Sequence, residues 1–103
     1  EVAISLTLPE WALVIARERL SKRHLQVSVA NAKLFDGQGA VDAGFLDEVT
    51  AADQVVDRAI EVAQGFAEQL DARAYASTVR ALRGDVLSQM DAAVAAERTV
   101  VGL

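Results

Sequence analysis

The chain has no cysteine, a single histidine and one proline in 103 residues, and only five aromatic side chains. Without cysteine there is neither a disulfide framework nor a thiolate metal site. One histidine, His24, rules out a multi-histidine metal centre and any His-based triad with a second imidazole. A lone proline, Pro9, and six glycines leave long stretches without a breaker, which favours long uninterrupted elements. Few aromatics among much alanine suit close helix packing better than a large sheet sandwich. Positive charge is also short: ten Lys and Arg stand against fifteen Asp and Glu, for a net charge of −5. That balance argues against nucleic acid, whose phosphates are bound mainly through Lys and Arg. No apolar run approaches the roughly 18–20 residues that cross a bilayer, and no basic-then-apolar signal opens the chain. The expectation is a cytoplasmic protein with no membrane partner and no metal.

What is present is mostly helical periodicity. Val2, Ile4, Leu6 and Leu8 alternate with Ala3, Ser5 and Thr7, a period-two pattern that predicts an extended opening segment. Such a segment needs neighbouring strands for its backbone groups, which hints at further chain upstream. Pro9 then suits a helix start, and the spacing predicts a helix over 10–20 with Trp11, Val14 and Ile15 on one face. Ser21 is placed to cap a second helix, from Lys22 to about Leu34. Asp36 can cap a short helix over 37–43, and Gly44 stands where a helix ends in a left-handed residue. Phe45 to Val49 reads as a short extended piece.

Thr50, Ala51, Ala52 and Asp53 have the form of a capping box. The helix that follows is the clearest in the chain. Val55, Val56, Ala59, Ile60, Ala63, Phe66, Ala67 and Leu70 make one broad apolar stripe over about 52–70. Asp71 can cap a further helix, from Ala72 to about Arg83. Gly84 and Asp85 predict a break or kink, after which Val86, Leu87, Met90, Ala93 and Val94 continue a stripe to about Glu97. Thr99 to Leu103 reads as a fraying tail or a docking strand. The fold class is therefore mostly α, with five or six helices and one or two short extended segments.

Few side chains announce chemistry by type alone. His24 follows Lys22 and Arg23 in a basic run with Arg17 and Arg19, which reads as a solvated face or a contact for an anion. Arg73, Arg80 and Arg83 are spaced to share one side of a helix. Trp11, Tyr75 and Met90 read as packing residues. Asp36-Gly37-Gln38-Gly39 is too short for a phosphate-binding fingerprint, so its glycines serve turn geometry.

Two stretches carry a resemblance when taken together. Glu1, Val2, Ile4, Thr7, Leu8 and Pro9 form one, with Ser5 where glycine is usual. Ala40, Gly44, Phe45, Leu46 and Val49 form the other. The long amphipathic helix follows, and then Ala74 and Thr78, with Val79 in place of a lysine. In this order and spacing they resemble the C-terminal part of the crotonase superfamily, the enoyl-CoA hydratases and isomerases. The resemblance implies the C-terminal helical region of a ββα-spiral fold, with the upstream ββα core absent from these residues. On it, 1–103 is one C-terminal segment: 1–49 forms the active-site edge and connecting helices, and 50–103 a helical oligomerisation and cover region.

The resemblance also implies a chemistry. Glu1 aligns with a catalytic glutamate that moves a proton beside an acyl-CoA thioester. The thioester oxygen sits in an oxyanion hole supplied by the upstream part. Pro9 and Trp11 become candidates for the acyl pocket, and Arg80 and Arg83 for contacts to coenzyme A. The thioester is the substrate and no separate cofactor is implied. Family members usually form trimers or pairs of trimers, and the isolated 103 residues are expected to be inactive. Two other readings fit the same residues: a non-catalytic helical module that associates through its stripes, and a non-catalytic relative of the family, which the changes at Ser5 and Val79 would suit.

Overall fold

The structure is a computed structural model, and it describes residues 1–100 and 102. Five α-helices make up most of it: α1 (Glu10–Arg19), α2 (Lys22–Val29), α3 (Gly37–Ala43), α4 (Val55–Gln69) and α5 (Ala72–Val100). Short 3-10 turns occupy Val2–Ile4 and Ala52–Gln54. There is no β-strand among the described residues. The chain divides into two compact units. One comprises residues 1–48 and 85–103, the other residues 49–84.

The first unit is organised by the meeting of two helix ends. Ala16 and Leu20, one turn apart on α1, are buried with Ala43 at the end of α3, and Leu25, Val29 and Phe35 pack around them. Ala43 is 0% exposed. Gly44, at φ 107°, ends α3 in a paired-bond stop: its N–H reaches Val41 O at 3.1 Å and the Phe45 N–H reaches Ala40 O at 2.9 Å. A Cβ on Gly44 would lie 2.5 Å from the Arg19 carbonyl oxygen, so only glycine lets the two ends approach this closely. The Ser21 N–H then donates to Ala43 O at 3.2 Å, and Arg19 pairs with Asp47 at 3.1 Å on the surface. Asp36 caps α3 as expected, accepting from the Gly39 N–H at 2.7 Å.

Four expectations about residues 1–49 are corrected. The opening residues form a 3-10 turn instead of an extended segment. The Ile4 and Leu6 N–H groups both donate to Glu1 O, at 2.9 and 3.1 Å, and Ser5 sits at φ 63°. No neighbouring strand is available within these residues, so the backbone bonds locally. The second helix stops at Val29, well before Leu34. Ala32 at φ 54° turns the chain out of the helix, with the Asn31 N–H on Gln26 O and the Lys33 N–H on Val27 O, both at 3.1 Å. Leu34 is left 94% exposed. Ser21 holds the N-cap position of α2 but its hydroxyl does not cap; Oγ lies 2.7 Å from His24 Nδ1 instead. The Phe45–Val49 piece is irregular.

In the second unit α4 turns directly into α5. Leu70 closes α4 with its N–H on Phe66 O at 2.9 Å, and Asp71 caps the next helix by accepting from the Ala74 N–H at 2.8 Å. The Ala51–Gln54 turn that precedes α4 starts at a residue with no side-chain acceptor, so the anticipated capping box does not open it. The apolar stripe of α4 has the expected spacing and is uncovered. None of its residues is buried, and Val56 is 69% and Phe66 56% exposed.

The predicted break at Gly84 does not occur, and α5 runs on for 29 residues. An isolated glycine costs a helix only about 1 kcal/mol relative to alanine, which a helix of this length absorbs. The expected tail from Thr99 begins inside α5. Val101 and Leu103 lie outside the described residues.

Each unit leaves large apolar side chains in solvent: Leu6 is 53% and Ile15 44% exposed in the first, Ile60 51% and Tyr75 55% in the second. Among the described residues no large side chain is fully buried.

Candidate functional site

Glu1 begins the 3-10 turn. Its carbonyl is held by two N–H donors while its side chain is exposed. Ser5, where the family pattern has glycine, takes a left-handed conformation. Glycine adopts that region freely and serine adopts it at a cost. Leu8 and Pro9, both half-buried, lead into α1. Pro9 is its N-cap at φ −66°, with its carbonyl accepting from Ala12 and Leu13. Trp11 follows on the first turn and is 37% exposed, so it is not the packed core residue that its type suggests. Glu1, Pro9 and Trp11 all belong to the first unit.

Arg80 and Arg83 lie three residues apart on α5 in the second unit, on one side of the helix as anticipated. Arg80 is exposed and Arg83 half-buried. Val79, where the family pattern has lysine, is also half-buried.

Two grooves stand out. One, of about 400 Å³, opens at the α4–α5 turn and is lined by Ala63, Phe66, Ala67, Leu70, Ala72 and Tyr75. Tyr75 thus lines a cleft; it is not packed in a core. The second, of about 410 Å³, lies along α1 and α2 and is lined by Leu13, Arg17, Lys22, Leu25, Gln26, Val29 and Ala30. Sequence reasoning saw Lys22 only as part of a basic run. The signal that could have found the groove is the i, i+3, i+7 spacing of Lys22, Leu25 and Val29, which sets a cation above an apolar face. Neither groove is lined by Glu1, Pro9, Trp11, Arg80 or Arg83. His24, on the first turn of α2, is half-buried and edge-on to Phe35 at 6.5 Å. Among the described residues no three His, Asp or Glu side chains gather into a metal-binding group. Among the described residues no helix is long and apolar enough to cross a membrane.

An all-helical chain that buries little of its apolar surface, with a glutamate held at a tight turn ahead of its first helix, has the character of one region of a larger fold. The comparisons with solved structures identify that fold. A probable enoyl-CoA hydratase of Mycobacterium tuberculosis matches 100% of this chain over 43% of its own, at 39% identity and a TM-score of 0.90. Another structure of the same gene product, there called an enoyl-CoA isomerase, matches 91% of this chain over 41% of its own, at 40% identity and TM-score 0.85. An enoyl-CoA hydratase/isomerase family protein of Pseudomonas syringae matches 95% over 42%, at 34% identity and TM-score 0.86. The chain belongs to the crotonase superfamily, and its fold is that family's C-terminal helical region. It spans less than half the length of these relatives. No family model matches the chain, and no curated protein does.

Proposed function

We propose that these residues are the C-terminal part of an acyl-CoA hydratase or isomerase, with Glu1 as its acid/base. The observation that carries this reading is the match along the whole chain, at 39% identity, to a protein described as an enoyl-CoA hydratase. The uncovered surface supports it, because helices of this family without their ββα core would expose apolar stripes of this kind.

In this reading the upstream core supplies two backbone N–H groups that hold the thioester oxygen and stabilise the enolate as it forms. Glu1 then moves a proton. In hydration, water adds its oxygen to the β-carbon and a proton arrives at the α-carbon. In isomerisation, one carboxylate removes a proton from carbon and returns it two positions away. The turn that fixes the Glu1 backbone leaves its carboxylate directed by whatever surrounds it. Pro9 and Trp11 border the acyl group, and Arg80 or Arg83 meets the coenzyme A phosphates in place of the lysine absent at Val79. The thioester is substrate, and no further cofactor enters. Residues 1–49 form the active-site edge, and 50–103 cover it and join subunits in a trimer or hexamer. The setting is fatty acid metabolism in the cytoplasm.

The test is reconstitution. The 103 residues are expressed alone and beside the ββα core of the M. tuberculosis relative, and loss of the conjugated thioester absorbance of a short enoyl-CoA is followed. Turnover by the pair and none by the chain alone supports the reading. A compact, cooperatively melting chain that neither binds the core nor turns over substrate with it would favour a helical association module.

A further inference from the structure

We propose that the groove between α1 and α2 binds a single-chain anionic amphiphile, a free fatty carboxylate. The argument starts from charge. Residues 17–33 hold five of the ten Lys and Arg and one of the fifteen Asp and Glu, a local charge of +4 in a chain of net charge −5. This positive segment contains most of the groove lining. Leu13, Leu25, Val29 and Ala30 give it an apolar floor, and Arg17, Lys22 and Gln26 set donors on its walls. Its volume of about 410 Å³ falls in the range of small-molecule sites, roughly 300–1,000 Å³.

The donors are not equivalent. Arg17 already holds Glu10 at 2.9 Å. Lys22 is exposed at the start of α2, and an ammonium on a flexible stem can follow a headgroup at the groove mouth while its methylenes cover the tail. The Gln26 amide, one turn on, adds a neutral donor. A carboxylate suits this set: one oxygen meets Lys22 and the other Gln26, or displaces Glu10 from Arg17. A phosphate dianion would leave the apolar floor unused, and a neutral lipid would leave the cations unused.

The inference does not depend on the acyl-CoA reading, because its test measures binding and not turnover. Decanoate is titrated into the full chain as purified, with Trp11 fluorescence and calorimetry as readouts and circular dichroism as the folding check. Three further titrants are used: octanoate, inorganic phosphate, and vesicles of anionic phospholipid. The expected result is saturable one-site binding of decanoate that tightens about twofold per added methylene, since a half-open groove realises only part of the full transfer gain. Binding should weaken as salt rises. Phosphate should not bind. Lys22→Glu should weaken decanoate about tenfold, and Lys22→Glu with Gln26→Glu further. Both positions are exposed, so the fold should be kept. Non-saturable uptake, equal affinity in the Lys22→Glu variant, or binding to vesicles but not to free decanoate would each overturn the proposal.

Discussion

Replacing Gly44 with alanine tests the packing that positions α1, and its cost can be worked from two independent terms. At φ 107° an L-residue is strained, by about 1–2 kcal/mol for the left-handed region alone. The new Cβ would also lie 2.5 Å from the Arg19 carbonyl oxygen and 3.4 Å from the Leu20 Cα. The obstacle is backbone, so α1 must move. That movement loosens Leu20 and Ala43, two of the five most buried residues. Overpacking of this kind costs about 1–3 kcal/mol. The sum is about 2–5 kcal/mol, a large share of the roughly 5–15 kcal/mol that holds a typical domain. Urea titration followed by the fluorescence of Trp11, the sole tryptophan, reads it directly. Gly84→Ala is the matched control. Its Cβ would meet nothing within 4 Å, so the helix propensity gain of about 1 kcal/mol should appear as stabilisation. If Gly44→Ala lies within about 0.5 kcal/mol of the parent chain, the close approach of α1 and α3 is not as described.

Other perturbations have equally definite outcomes. Ser5→Gly and Ala32→Gly each relieve a positive φ and should raise the urea midpoint by the equivalent of about 0.5–1 kcal/mol. Asp36→Ala and Asp71→Ala each remove a side-chain cap at 2.7 or 2.8 Å and should each cost about 1 kcal/mol in the same titration. If Arg80 meets coenzyme A as proposed, Arg80→Ala in the completed protein should raise KM for the acyl-CoA several-fold and leave kcat unchanged, because such a contact is made equally in ground and transition states.

Local rules were legible wherever a residue decides its own neighbourhood. Asp36 and Asp71 mark their helix ends by side-chain hydrogen bonds and Gly44 by its left-handed backbone, and each does in the structure what its type implies. The errors fall where the outcome depends on something other than local type. The alternation of Val2 to Leu8 is a real pattern, but a strand exists only beside another strand, and the turn forms instead. Ala32 gave no sign that it would leave the right-handed region, because alanine is the best helix former; its conformation is set by the turn into α3. Gly84 looked like a break because propensity was weighed for one residue rather than for a helix of 29. The same division runs through the site. Glu1, Pro9 and Trp11 are candidates through the order of short motifs, not through any feature of their own. The α1–α2 groove escaped because its lining is drawn from two helices whose pairing the sequence does not state.

The claim on which the rest depends is that Glu1 carries the proton in an enzyme completed by an upstream core. The direct measurement is the rate of enoyl-CoA turnover by the completed enzyme with Glu1→Gln, beside the binding constant of the unreacted thioester. Glutamine keeps the size of glutamate and loses the proton-transferring carboxylate, so turnover should fall by about 10²–10⁴-fold while thioester binding stays within twofold. Turnover equal to that of the parent, in a variant that binds the thioester normally, would contradict the assignment.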